Sequence, residues 1–513
     1  MSEAAKKQDA LAKTTPYRPA DTVIEGGRGF YTSLGFRSAR VAMREGRVSS
    51  MGSGDMQIRY ARKELVAQSR DFMRNNGLYN GMINRAVGYV VGSGFKLQVK
   101  PSQGDWHKAV EKKWRKFWKR PEVRQLLSGP RVERMVCREL YTCGDVGLLK
   151  LKTGLLQLVE SEQITGPKAG DDGIGRNETG TPTMFHVGSY GPAGYVPRGK
   201  TTPYKPEDVL FIAEPDRPSS TRGYPPCQAA FPMIHRITDV CDSEALAWQL
   251  LARLPFSVIR EQGSSLAFNE SVADPNKTAS DTQDIARRLI ELDYAIIFEG
   301  LPGEKIEAID RNIPGQNFSE ALYTFLRLLG LPLGLPLEIV LLDWTKSNYS
   351  QSRAVLEQAY QTFLGWQMLI EDFFLRPVFE WQLARWIAAK SLPAAPQDFD
   401  PETDVEWIKP TFPWIDQLKE AQAYGEQLDR GLATHAQVCK SKGGDRDEIV
   451  ERRVAEVTDA VNHAKKIKAD TGVTVPWQLF AGVKLPGTSG AAKPLADQDV
   501  DDSNTKEEGG QEK

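Results

Sequence analysis

Phosphate chemistry is the first activity to weigh, because Gly194 to Thr201 read GYVPRGKT and satisfy the G-x-x-x-x-G-K-[ST] pattern of a phosphate-binding loop. Downstream, the apolar run IVLLD ends at Asp343, where a nucleotide enzyme would place the acid that holds magnesium. The surrounding residues argue against the pair. Such a loop must leave an apolar strand and enter a helix whose first amides cradle phosphate. Here the preceding residues are GSYGPAG, and Pro203 and Pro206 fall inside what would be the first two helical turns. The match reads as accidental. His107, His186, His235, His435 and His463 are scattered without H-x-x-x-H or HExxH spacing, no Ser stands in G-x-S-x-G, and no cysteine neighbours a base. No catalytic residue, metal or cofactor is therefore expected.

The stretch WHKAVEKKWRKFWKR, from Trp106 to Arg120, mixes cations with rings that could stack on bases. Its rings fall on one helical face and Lys108, Lys112, Arg115 and Lys119 on the rest, so packing of the rings on a core is the expected use.

The totals narrow the class. A chain of 513 residues, 40% hydrophobic with a formal charge of -1, can build large cores and neither demands nor forbids a nucleic-acid partner. Its five cysteines form no CxxC pair in a chain too large to need staples, which reads as reduced cytosolic thiols. The start has no apolar signal core and no run of 18 apolar residues occurs, so synthesis in the cytoplasm and no membrane span are expected.

The elements that must position any site alternate in kind. Residues 1–56 form a polar arm with Arg37, Arg40, Arg44 and Arg47 at helical spacing, and its role is either solubility or binding. Ile58 to Val91 carry helical periodicity interrupted by Gly77 and Gly81. Asp105 should cap the Trp106 helix, and another helix should run from Pro130 to Cys143. VGLLKLK, LLQLV, TMFHV and DVLFIA read as strands, giving an α+β class that is mainly helical. Helical spacing returns from Pro226 to Leu254. A short helix is expected at Thr282 to Leu292, then the strand YAIIFEG, then a helix from about Asn317. Residues 350–389 read as the longest helix, about 60 Å if straight, with a kink at Pro377. Trp414 to Ala469 read as helical, and an acidic tail from Asp497 to Lys513 ends the chain.

Between the helix ending near Gly330 and that long helix, polar Ser347, Asn348, Tyr349 and Ser350 stand in a loop able to contact something outside the subunit. NYSQSRAVLEQ there resembles the NYSS-R-A signature of lambda-type portal proteins of tailed phages. RDFMRNNGLYNGMINRAVGYVVGSGFKLQ from Arg70, RPSSTRGYPP from Arg217 and WIDQLKEAQAYGEQLDRGLATHAQVCKSKGGD ending at Asp445 extend the resemblance over roughly residues 27–470. Two departures stand out: CGDVG from Cys143, where the family often has Gly-Glu, and PLGLPLEIVLLDW, unusually rich in Leu and Pro.

The resemblance implies a portal-type subunit. Its parts would be a wing at 57–225, a stem helix at 226–254, a clip at 255–316 and a second stem helix at 317–334. A tunnel loop at 335–349, a long kinked helix with wing return at 350–412, a helical crown at 413–470 and a disordered tail at 471–513 would complete it. It further implies a homo-oligomeric ring of twelve at one capsid vertex of the virion, through which the terminase large subunit drives double-stranded DNA and from which DNA leaves. A head-tail adaptor and the major capsid or scaffold protein would be further partners. Asp343, Trp344, Thr345, Lys346, Ser347 and Asn348 would face the DNA weakly. Near-neutral charge suits such a conduit, because every phosphate contact repeated around a ring strengthens retention. A phosphate-loop ATPase of the packaging motor and a monomeric head adaptor or scaffold protein are the alternative readings.

Overall fold

The computed structural model describes residues 53–100, 105–167, 172–190, 200–253, 256–260, 289–292, 295–298, 304–308, 316–345, 349–411 and 417–482. The first described element is helix α1 (Gly54–Asn75), which Ser53 caps by accepting from the Met56 amide at 3.3 Å. The interruption expected at Gly77 falls one residue earlier. Asn76 leaves the helical region, donates its amide to the Phe72 carbonyl, and caps α2 (Gly77–Val91) by accepting from the Tyr79 amide at 2.9 Å. Gly81 stays inside α2, where Tyr79, Met82, Ile83, Ala86, Val87 and Val90 bury the face that the spacing marked.

Strand β1 (Lys96–Val99) leads to α3 (Trp106–Trp118) and α4 (Gly129–Cys143). Asp105 precedes α3 with φ 54° and makes no side-chain cap bond, so the expected cap is present in position but not in chemistry. Trp106, Val110, Trp114 and Trp118 are buried, as expected of a core-packing helix. Two antiparallel three-stranded sheets follow: β2 (Asp145–Lys150) lies between β3 (Leu156–Val159) and β7 (Val209–Ala213), and β5 (Pro182–Gly188) between β4 (Ile174–Arg176) and β6 (Thr201–Tyr204).

Helix α5 (Phe231–Arg253) is followed by β8 (Phe256–Arg260), β9 (Leu289–Leu292), β10 (Ala295–Phe298) and β11 (Glu304–Ala308), with β8 paired to β11 and β9 to β10. Leu289–Leu292, expected as the end of a helix, is thus a strand. Its hydrogen-bonding partner is Ala295–Phe298, close by in sequence, and cross-strand pairing of so short a segment overrides its local spacing. Thr282 to Arg288 lie outside the described residues.

Helix α6 (Gln316–Gly330) and the short α7 (Leu337–Leu341) lead to α8 (Tyr349–Ile370), a π-helical turn at Glu371–Leu375 and α9 (Arg376–Ala388). Pro377 cannot donate to the carbonyl four residues back, and the wide π turn directly before it absorbs that loss. Strand β12 (Val405–Ile408) returns to pair with β1, Leu97 opposite Trp407, so residues about 300 positions apart close one core. That core joins α1 to α4, α7 to α9 and the inner face of β2; a smaller one fills the space between the two three-stranded sheets.

The chain divides into two units, Met1–Glu420 and Ala421–Lys513. In the second, α10 (Gln417–Asp429) runs in from the boundary, and α11 (His435–Ser441) starts at a reciprocal cap between Thr434 and Gln437. Asp445 caps α12 (Arg446–Thr471), which Gly472 ends in the left-handed region, and the four-residue α13 (Gln478–Ala481) follows. No helix among the described residues is long and apolar enough to cross a membrane.

Candidate functional site

The segment between α6 and α8 is built from the base upward. The Leu335 amide donates to the Gly330 carbonyl at 3.0 Å, and a Cβ on Gly330 would lie 2.1 Å from the Leu335 oxygen, so this reversal closes only over glycine. Gly334 turns the chain at φ 63°, where a Cβ would meet the Thr362 hydroxyl of α8 at 2.6 Å. Pro336 then starts α7, whose Ile339 and Val340 are buried with Leu333 and Leu335 in the main core. Arg85 of α2 donates to the Val340 carbonyl, satisfying the end of the short helix. The Leu/Pro-rich departure is therefore a buried foundation. Leu331 and Leu342 escape it, 67% and 52% exposed.

Beyond that foundation the chain turns outward through Leu342, a non-glycine residue at φ 56°. The Asp343 carboxylate accepts from the Thr345 amide at 3.1 Å and the Thr345 hydroxyl at 2.6 Å, which folds the tip back on itself. Its second oxygen accepts from the Tyr323 hydroxyl of α6 at 3.1 Å, tying the loop to the helix before it. That bond and the adjacent negative charge raise the tyrosine pKa. Of the six residues expected to share a DNA-facing loop, Asp343, half-buried Trp344 and exposed Thr345 are contiguous here. Lys346, Ser347 and Asn348 lie outside the described residues. Tyr323 and Arg85 are the residues that sequence reasoning missed; only contacts across 20 and 255 positions identify them.

The phosphate-loop alternative meets two structural obstacles. Lys200 is followed by strand β6, Thr201–Tyr204, paired to β5 where the pattern requires a helix. In the run IVLLD, read as the strand that would carry Asp343 to magnesium, Ile339 to Leu341 belong to helix α7.

The densest polar cluster lies elsewhere, at the second departure. Asp145 is fully buried and accepts from Arg222 Nε at 2.7 Å, Arg62 at 2.9 Å, the Gly223 amide at 3.0 Å and the Ser161 hydroxyl. Arg222 in turn donates to the Ile164 and Ser161 carbonyls. Burial opposes ionisation of Asp145, yet Arg222 and Arg62 outweigh it and hold the carboxyl below its usual range. The close approach of the two segments that deliver these groups needs Gly144 and Gly223, since a Cβ on either would fall about 2 Å from the other segment's backbone. This explains why CGD and TRGY occur together.

Nearby, Glu139, Cys143 and Glu162 place ligand atoms close enough to hold a metal ion. Arg70 already fills that space, with two bonds of 2.7 Å to Glu139 and bonds of 2.9 and 3.1 Å to Glu162, and burial pushes the Cys143 thiol up and keeps it protonated. The donor set fits an ion-paired brace.

The described residues thus form a mainly helical fold with small antiparallel sheets, a buried ionic brace and a loop carried on a packed foundation. The model of the family described as phage portal protein, lambda family, matches residues 39–367, and the chain belongs to that family. It is similar to portal protein B of Escherichia phage lambda, 20% identical over 448 residues covering 77% of this chain and 83% of that protein. The portal protein of Escherichia phage N15 is likewise 20% identical, over 76% of this chain and 83% of its own. Among solved structures, the neck of a native gene transfer agent particle with C12 symmetry aligns over 72% of this chain and 91% of that one, at 15% identity and TM-score 0.40. An HK97-family phage portal protein from Corynebacterium diphtheriae aligns over 66% and 98%, at 12% identity and TM-score 0.34. The protein is a phage portal protein.

Proposed function

We propose that twelve copies of this chain close a ring at one capsid vertex of the virion, and that the loop from Asp343 to Asn348 lines its channel and touches double-stranded DNA weakly during packaging and ejection. The observation that carries the loop assignment is the contrast between its foundation and its tip. The base is locked by Gly330, Gly334, Pro336 and Arg85, whereas Asp343, Trp344 and Thr345 are held above it by local bonds and one bond from Tyr323. A rigid base keeps the loop from being drawn along with moving DNA. The negative charge of Asp343, close in sequence to Lys346, limits retention of phosphate. The subunit itself performs no catalysis on this reading; the terminase large subunit supplies the work, and the head-tail adaptor and the major capsid or scaffold protein dock on the ring.

Native mass measurement with negative-stain imaging tests the ring. Closed particles of about twelve subunits with a central hole are expected, given head-to-tail closure by two complementary surfaces. Particles that never exceed one or two times 57.2 kDa across a range of salt would overturn it in favour of a monomeric adaptor. ATP hydrolysis by the purified protein, abolished by Lys200→Ala without unfolding, would overturn the non-catalytic reading.

A further inference from the structure

Helix α3 has two opposite faces, and the function derived so far uses only one. Its rings are spent inward: Trp114 stacks on Trp118 at 4.6 Å and meets Trp407 edge-on at 5.3 Å, and Trp106 meets Phe399 at 4.7 Å. Base stacking by these side chains is thereby closed off. Outward, Lys112, Lys116, Lys119 and Arg120 are all exposed. Lys112 and Lys116 share one side of α3, about 40° apart at 100° per residue, and Lys119 and Arg120 follow in the turn just past its last residue, Trp118. Among the described residues none of the four has a carboxylate partner. The neighbouring acids are occupied: Glu111 accepts from the Val99 amide and pairs with Arg115, and Asp105 pairs with Lys108. Lys113 is turned aside to donate to the Ser391 carbonyl over the Trp386 ring. Burial and then the charge of Lys116 lower its pKa.

The geometry points to this cationic ridge as a second DNA contact, one that binds the phosphate backbone of double-stranded DNA without regard to sequence and lies apart from the channel loop. Three features favour duplex DNA over an acidic protein segment. The ridge is the convex side of a helix and offers no groove. The helix carries no large apolar side chain among the exposed ones, so a peptide would find no anchor. Phosphate attraction needs only clustered charge, which aromatic packing of the opposite face holds in fixed register. A chain with formal charge -1 overall gains such a surface only by segregating its cations.

Covalently closed circular duplex DNA cannot thread a closed ring, so its binding to the assembled protein reports surfaces outside the channel. The parent should bind such circles with a slope of log affinity against log salt of at least about -3, as expected for four phosphate contacts, losing about a hundredfold between 50 and 200 mM salt. Lys112→Gln/Lys116→Gln/Lys119→Gln/Arg120→Gln should lose at least tenfold in affinity at the lower salt and most of that slope, with ring mass unchanged. Trp344→Ala/Lys346→Ala should bind circles like the parent, which separates this surface from the channel loop. If the fourfold variant does not assemble, Lys116→Gln/Lys119→Gln carries the test with about half the loss of slope. Parent rings that ignore circles at 50 mM salt, or a variant with the parent's slope, would show a merely solvated face and overturn the proposal. So would a ridge that ignores DNA but binds a synthetic peptide of residues 497–513, the chain's own acidic end.

Discussion

Two acidic positions of the chain, Asp145 and the Asp343 that follows the Leu/Pro-rich run, end in opposite circumstances. Asp145 lies at zero exposure, and every oxygen is taken by Arg62, Arg222, Ser161 or Gly223. The Leu/Pro run buries its middle and lifts Asp343 to a half-exposed tip stabilised by short-range bonds. Charge by itself therefore does not mark a site that acts on something else. A carboxylate whose acceptor capacity is consumed inside the subunit is framework, and one that keeps solvent access on a braced loop can meet a partner.

The comparison breaks most visibly at Asp145. Asp145→Ala should leave two buried guanidiniums without a counter-charge and cost about 3–5 kcal/mol, so the variant should unfold far below the parent in a thermal melt or fail to accumulate as soluble protein. Because the folded carboxyl titrates below its usual range, the stability it contributes is present above the unfolded value of about 3.9 and is lost as pH falls through the lower folded value. A variant melting like the parent would mean the brace carries no load.

On the loop side, Trp344→Ala/Lys346→Ala should leave the melting temperature and ring mass unchanged while altering packaged genome length or DNA retention. Full-length genomes packaged and retained as by the parent would remove the loop assignment. Loss of rings would make these residues framework too, and the contrast would disappear.

A smaller effect is expected at Glu133, a buried acid whose partners, the Trp118 indole and the Phe95 amide, are both uncharged. Burial raises its pKa to about 7. The folded state then binds a proton that the unfolded state, titrating near 4.3, has released, so stability falls as pH rises between these values and levels off above about 7. The loss should reach about 3–4 kcal/mol over that range. Glu133→Gln should flatten that dependence. Thermal melts of both proteins at pH 5 and 8 check it, and parallel profiles would show that another group governs the slope.

The smallest change is Tyr323→Phe, which removes one donor to Asp343. Hydrogen exchange at the Thr345 amide should quicken severalfold with no change at Val340, whose carbonyl Arg85 holds. Equal protection in both proteins would show that Tyr323 does not steady the tip.

Much of this was legible in the chain. Helical spacing placed α2, α3, α5 and the long α8–α9 pair, because burying one face of a helix imposes a three-to-four-residue repeat wherever the partner lies. The aromatic side of α3 was assigned to the core on the same ground, and the strands from VGLLKLK to DVLFIA followed from apolar runs between Gly and Pro. Four ordered motifs identified the family. What tertiary structure alone decided is pairing across distance. Leu289–Leu292 became a strand because Ala295–Phe298 offered hydrogen bonds that a short helix could not match, and β1 found β12 some 300 residues away. Asp145 was one acid among many until Arg62 and Arg222 converged on it. Tyr323 and Arg85 gained their roles only when the chain folded back on them. Local periodicity is written in neighbouring residues and survives in a string, whereas a charge pair or a strand partner depends on which distant groups reach it, and the packed core settles that.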